Sequence, residues 1–408
     1  MSVGSLARRI VSQSPLPIRR LASTLQIGAT SGWGVYGCQL ALRLASRGIP
    51  LVPVGPCEWN SLHPAHRAAL AGTQAIQQQF ERDLNQRLQG GGRPHFNFEG
   101  DVLFCLANDL VGPELPFTIR GTRNIGTVFL EDPRLSPQAV AGGKTFHKII
   151  AGSTWNGQVL RKYALDNVAV VLQGIDPQWF GPGARQGKWK DHFVIFSGGK
   201  LEYRKGQDLV VAATRAFARR HPQTLLVFAW NNPWPQSMNE IDRAGLVEGT
   251  PQAHSDGRID FAGWLARNGV EHFVDLGLPL NWQMPELIRE ADVALFPNRA
   301  EGGTNLVAME CMACGVPTIL SANTGHLDII SDEICYQLHN QGPVRATPWY
   351  PSVEGWGESS VEEMEEALER VYADRAQAAL RGAAAAAAMR RFSWENQIDQ
   401  QLREINQA

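Results

Sequence analysis

Twice along the chain, short apolar runs give way to glycine-rich turns and then to helix-compatible stretches. This is the local pattern of strands feeding helices across a doubly wound parallel sheet. Leu25 and Ile27 run into GATSGWG and then VYGCQLALRLASRG, where Gly48 stops the helix before an expected strand at 49–54. Apolar runs at 102–106, 126–130, 148–151 and 168–172 continue this α/β series. Gly181, Pro182, Gly183 and the polar residues up to Asp191 read as a linker. HFVIFSGGK, LLVFAW, DVALFP and PTILSA then open a second series. A chain of 408 residues suits two cores better than one. The expected plan is a flexible segment at 1–24, a first Rossmann-like domain at 25–185 and a second at 186–375. Helices at 376–408, marked by the alanine run 383–388, are expected to pack back on the first domain.

Composition narrows the function class. With 44% hydrophobic and 19% charged residues and a net charge of −2, the chain has no basic excess for a nucleic-acid partner. Its apolar runs are strand-length, far short of the roughly 20 residues of a membrane span. Arg8, Arg9, Arg19 and Arg20 leave open a peripheral membrane contact, although Pro15 and Pro17 interrupt any long amphipathic helix. Six cysteines without a secretory signal ahead of them fit a reducing cytoplasm. Cys311 and Cys314 form a CxxC with no second pair or nearby His to complete a zinc site, so packing is the expected role and no metal is expected.

Gly28, Gly32 and Gly34 would let backbone approach a phosphate or sugar at a helix N-terminus, with Trp33 between them. The same spacing serves nucleotide oxidoreductases of the short-chain type, which pair a Tyr with a Lys four positions later. Here the six tyrosines are followed at that offset by Leu40, Asn167, Gln207, Asn340, Glu354 and Ala376. An acid for a ribose after the second strand is missing unless Glu58 is recruited. In SGGKLEYRKGQD, Lys200 follows Gly199 at a strand end and Lys205 enters the next helix, a pair suited to neutralising a diphosphate leaving group. In EGGTNLVAME, Gly302, Gly303, Thr304 and Asn305 form a turn whose N–H groups can meet phosphate or sugar oxygens, and Glu310 lies on the helix behind it. Both lysines read equally as solvated turn residues, and both glutamates as a helix cap and an ion-pair partner.

GGKLEYRKG, ALFPNRAEGGTNLVAMECMACGVPTI and TGHLDII together resemble the donor half of the retaining GT-B glycosyltransferases of family four, the glycogen-synthase-like group. The resemblance is strongest over residues 150–330 and extends to Gln173-Gly174-Ile175-Asp176 at the close of the first domain. It implies two Rossmann-like domains facing a cleft and long C-terminal helices. It also implies a hexosyltransferase-type activity with a nucleotide-sugar donor as co-substrate and no cofactor. The acceptor would be a sugar, a lipid-linked or a small-molecule hydroxyl. Lys200 and Lys205 take the places of the family's phosphate-binding cations, Glu301 that of the glutamate near the donor sugar, and Glu310 that of the ribose ligand. His326 falls in a donor-sugar loop, and Asn231 ends a strand where a base can bind. Glu301 and Glu310 are separated by eight residues where the family has seven. The family's acceptor-side histidine has no counterpart, and Asn108, Asp109, Glu131 and Asp132 are the polar candidates there. A non-catalytic sugar-nucleotide-binding protein of the same fold is the competing expectation.

Overall fold

The computed structural model describes residues 20–232, 234–256 and 258–408. Most of the expected 1–24 segment, with Arg8, Arg9 and Arg19, lies outside these residues, as does Pro233 beside Asn232.

The first domain is a six-stranded sheet of β1 (Leu21–Ser23), β2 (Leu51–Pro53), β3 (His95–Leu106), β4 (Thr118–Val128), β5 (Lys148–Ala151) and β6 (Val168–Val170). Their order is β2-β1-β3-β4-β5-β6, all parallel. The first strand therefore sits ahead of the expected Leu25 and Ile27. Ile27 makes only an isolated bridge to Cys57, because the chain has already turned toward the glycine loop. β3 and β4 are longer than the apolar runs suggest. Their first halves, HFNFEG and TIRGTR, alternate between exposed and half-buried positions, a polar pattern that conceals a strand projecting beyond the core. Phe96 on this extension packs on Phe117 and on Phe80 of the helix Ala71–Gln89.

The second domain repeats the plan with β7 (Phe193–Lys200), β8 (Thr224–Asn231), β9 (Phe273–Asp275), β10 (Val293–Phe296), β11 (Thr318–Ser321) and β12 (Tyr336–Leu338). The order is β9-β8-β7-β10-β11-β12, again all parallel. β7 and β10 are buried on both faces, which is why they read as unbroken apolar runs. In each sheet the order reverses once, beside β1 in the first and beside β7 in the second. Loops at the carboxyl ends of the strands flanking such a reversal line a natural crevice. Those loops are the GATSGWG turn, the segment after β7 and the turn after β10.

Helix α1 (Gly32–Ser46) follows the first turn, α2 (Thr154–Lys162) follows β5, α3 (Gln207–Ala218) follows β7, and α4 (Leu306–Ala313) follows β10. The chain closes with α5 (Val361–Ala373), α6 (Arg375–Met389) and α7 (Trp394–Asn406). These do not all return to the first domain. α6 lies on α4, so closely that a Cβ on Gly382 would sit 2.1 Å from the Gly315 carbonyl oxygen. Only α7 crosses back, with Trp394 stacked on Tyr36 at 5.4 Å and Ile398, Leu402 and Ile405 in the first core. At the crossing, Ile175 N–H donates to the Phe392 carbonyl and Trp394 N–H donates to the Ile175 carbonyl, so the two connections between the domains run side by side. The 181–191 stretch is pinned to the second domain. Arg289 donates to the carbonyls of Trp179 and Gly181, and Glu290 accepts from the N–H groups of 186–188.

Candidate active site

The turn after β10 is shaped from both sides. Glu301 N–H donates to Thr324 Oγ1 at 2.7 Å and Gly325 N–H donates to the Glu301 carbonyl, so the loop Thr324–Asp328 staples the turn in place. Asn305 adopts a left-handed φ of 63° and caps α4 by accepting from Ala308 N–H. His326, fully buried, takes an amide hydrogen from Asn305 at Nε2 (3.1 Å) and holds the Ser321 carbonyl through Nδ1–H (3.1 Å). Burial pulls its pKa down to about 4 against the opposing pull of Glu301, so the ring is neutral near pH 7. His326 thus braces the turn from behind.

Around this turn lies a cluster of charge. Glu301 pairs with Lys205 Nζ at 2.5 Å and Arg204 at 3.3 Å, and also accepts from the Asn298 amide. Burial alone would raise its pKa, but Lys205 and Arg204 prevail and hold it down at about 2. Arg204, itself buried, also reaches Glu202 at 2.5 Å, Glu131 at 2.6 Å and the Ala300 carbonyl at 2.8 Å. Lys200 lies 3.1 Å from Glu202 and 3.8 Å from Glu131, with its ammonium over the Trp234 ring. Burial works against the charged Lys200, and Glu131 and Glu202 more than offset it, so its pKa is raised. For Lys205 burial wins over Glu301 and its pKa is lowered. Tyr350, from the segment after β12, donates its hydroxyl to Glu202 at 3.0 Å. Gly199 has a φ of +128° at the end of β7, with the Lys205 side chain beside it, and the Asn231 carbonyl accepts from Leu201 N–H.

Lys200, Lys205 and Glu301 are legible in the sequence, whereas Arg204, Glu202 and Tyr350 emerge only here. The signal for Arg204 is its place as a second cation beside Lys205 at the helix entry. Glu202 and Tyr350 carry no signal of their own, since the fold alone brings them together. Of the four acceptor-side candidates, only Glu131 enters the cluster. Asn108 holds the Glu131 N–H, while Asp109 and Asp132 each accept from a backbone N–H two residues on, at Val111 and Arg134.

The first domain closes directly on the turn. A Cβ on Gly302 would lie 2.4 Å from the Leu130 carbonyl oxygen, so the glycine permits the approach. Ser153 donates to the Gly302 carbonyl, Gln173 accepts from Thr304 N–H, and Asp328 accepts from Thr154 N–H at the start of α2. The GATSGWG turn faces the same seam. Ser31 caps α1 by accepting from Gly34 N–H, Gly32 sits opposite Leu306, and Trp33 packs on Phe129. Glu58 is engaged by Gln26 and Thr30 within that loop.

Glu310, about one turn into α4, is buried and accepts from the Asn281 amide at 2.6 Å, while Asn281 N–H donates to the Ala29 carbonyl across the seam. Burial pushes its pKa up to about 8, with Asn281 lowering it only in part. A carboxyl raised in this way holds a proton in the folded state that the unfolded chain has released. It therefore lowers stability as pH rises from about 4.5 through about 8. Glu310→Gln, which mimics the protonated form, is expected to gain in melting temperature relative to the parent between about pH 5 and about pH 9. A difference that stays flat over that window would show Glu310 charged throughout.

The described interdomain space beside Asn281 is a cavity of about 20 Å³ lined by Gly28, Gln39, His63, Asp176 and Trp282, room for about one water. A groove of about 900 Å³ on the second domain, lined by Arg220, Tyr336, Glu366 and Arg381, shares no residue with the cluster. Cys311 and Cys314 pack in the second core, where burial pushes the Cys314 thiol up to about 12. No described group of His, Cys, Asp and Glu is arranged to hold a metal ion, and no described helix is long and apolar enough to cross a membrane.

Two parallel Rossmann-like sheets closing on strand-end loops define the GT-B fold. Anabaena HepE in complex with UDP matches it with a TM-score of 0.60 at 13% identity, over 95% of this chain and 100% of that one. Sucrose-phosphate synthase from Thermosynechococcus elongatus matches with a TM-score of 0.60 at 18% identity, over 95% and 99%. A family model described as GT4-conflict, family 4 glycosyltransferase in conflict systems, matches residues 281–400, which carry Glu301, Glu310 and His326. D-inositol 3-phosphate glycosyltransferase of Saccharomonospora viridis is 26% identical over 349 residues, covering 79% of this chain and 74% of that protein. Other relatives of the same name match over 34% to 47% of their own length. Together these findings show the GT-B fold and a likeness to the glycosyltransferases of family 4.

Proposed function

We propose that the protein is a retaining glycosyltransferase that moves a hexose-type sugar from a nucleoside-diphosphate donor to an acceptor hydroxyl in the crevice between the domains. The observation that carries this reading is the convergence of Lys200, Arg204 and Lys205 beside the Glu301–Asn305 turn, on the face that meets the first domain. Three cations around one helix entry suit a departing diphosphate, whose charge grows as the glycosidic bond breaks. Glu310 lies where a ribose diol would reach it, and Glu301 orients the donor sugar. The bond from the anomeric carbon to phosphate breaks as the bond to the acceptor oxygen forms on the same face. The acceptor proton passes to the leaving phosphate oxygen, so no protein nucleophile enters.

The HepE complex makes UDP the first nucleotide to try. Thermal shifts with UDP, GDP and ADP, followed by transfer from the matching sugar conjugates, test the reading; D-inositol 3-phosphate belongs on the acceptor panel because relatives carry its name. Stabilisation by one nucleotide and transfer from its conjugate are expected. The extra residue between Glu301 and Glu310 favours the second reading, a non-catalytic sugar-nucleotide-binding protein. Tight nucleotide binding without transfer or donor hydrolysis across the panel would decide for it.

A further inference from the structure

Among the described residues, the cluster is balanced by the chain's own charges. Lys200, Arg204 and Lys205 face Glu131, Glu202 and Glu301 through contacts of 2.5 to 3.8 Å. A nucleoside diphosphate adds about two to three negative charges to a site that is already neutral. In a poorly solvated place such a surplus is strongly unfavourable, so one carboxylate must leave as the diphosphate arrives.

Two of the three are fixed. The Glu202 side chain is 1% exposed, lies on the same short segment as its cations and is held by Tyr350 as well. The Glu301 side chain is 5% exposed, and its carboxylate and backbone are held by Asn298 and Thr324. Glu131 differs on both counts. Its side chain is 25% exposed, and it belongs to the other domain, where its backbone is held by Asn108 in the loop after β3. Because Glu131 belongs to the first domain and Glu202 and Glu301 to the second, parting of the domains would carry Glu131 alone of the three away from Arg204 and Lys200.

We propose that Glu131 is a built-in counter-anion of the donor site: its carboxylate takes the place beside Arg204 and Lys200 that the donor diphosphate occupies after the crevice opens, so that donor binds by exchange for Glu131. The inference rests on the donor reading above and adds to it a residue of the first domain that sets donor affinity from the opposite side of the crevice. Glu131 competes with the donor, and each anion excludes the other from the same pair of cations.

The test is titration calorimetry of UDP, GDP and ADP against the parent, Glu131→Gln and Glu131→Asp. The Gln variant keeps the volume and removes the charge, and the expected result is nucleotide affinity higher than the parent's by roughly tenfold or more. The Asp variant withdraws the charge by one methylene and is expected to fall between the two; it also serves if the Gln variant folds poorly. Parent binding with equal or weaker binding in both variants would overturn the exchange while leaving the donor reading intact. Absence of binding by the parent and by both variants to all three nucleotides would overturn both.

Discussion

Lys205→Ala is expected to lower turnover about 10²- to 10³-fold at saturating donor, the cost of removing one preorganised group that stabilises developing charge. Lys205 is the cation closest to Glu301, 2.5 Å away, and burial has already pulled its pKa down, so little solvent screens it from a neighbouring phosphate. The same substitution strips a buried carboxylate of one partner, but Arg204 and Asn298 remain on Glu301. The stability loss should therefore stay at about 1–3 kcal/mol. Initial rates measured well below the melting transition separate the two effects. Turnover within twofold of the parent would remove Lys205 from the chemistry and leave it a structural partner of Glu301.

The second large effect concerns backbone. A Cβ on Gly325 would fall 1.7 Å from the Gly303 carbonyl oxygen and 2.8 Å from the Glu301 carbonyl oxygen. Both are main-chain atoms, and neither can swing aside without moving the turn after β10. Gly325→Ala is expected to destabilise the protein by more than about 4 kcal/mol or to lose nucleotide binding through displacement of residues 301–304. Gly72→Ala is the matched control. Gly72 lies in the helix Ala71–Gln89, and a Cβ added there would meet nothing within 4 Å, so a neutral change or a gain of up to about 1 kcal/mol is expected. Denaturant unfolding and nucleotide titration on the pair check this, and a Gly325→Ala protein equal to the parent in both would show that the turn is not stapled as described.

The parts of this protein that show in its sequence are those set by local pattern. β7 and β10 are apolar runs closed by glycine or proline, β11 is an apolar run opened by Pro317, and the turns after β7 and β10 announce themselves by composition. The long β3 and β4 do not, because their polar first halves satisfy a projecting strand without an apolar signature. The site divides in the same way. Lys200, Lys205, Glu301 and Glu310 stand beside glycine turns and can be named. Tyr350 and Asn281 act only because distant segments meet, and nothing adjacent to them in sequence marks the meeting; Gln173 is marked only by the resemblance of Gln173-Gly174-Ile175-Asp176, with no sign there that it meets Thr304. Four polar candidates stand across the crevice in the sequence, and the packing of the loop after β4 brings Glu131 alone to Arg204.

The return of α7 to the first domain has a consequence for synthesis. The first domain's strands leave the ribosome before any of the second domain, yet Trp394, Ile398 and Leu402 of its core come after it. The second domain, with its last helix α6 ending at Met389, can therefore complete its core while the first still lacks the face that covers Tyr36. The earlier domain is thus sealed by a helix that follows the whole of the later one in the chain, beside the crossing at Ile175.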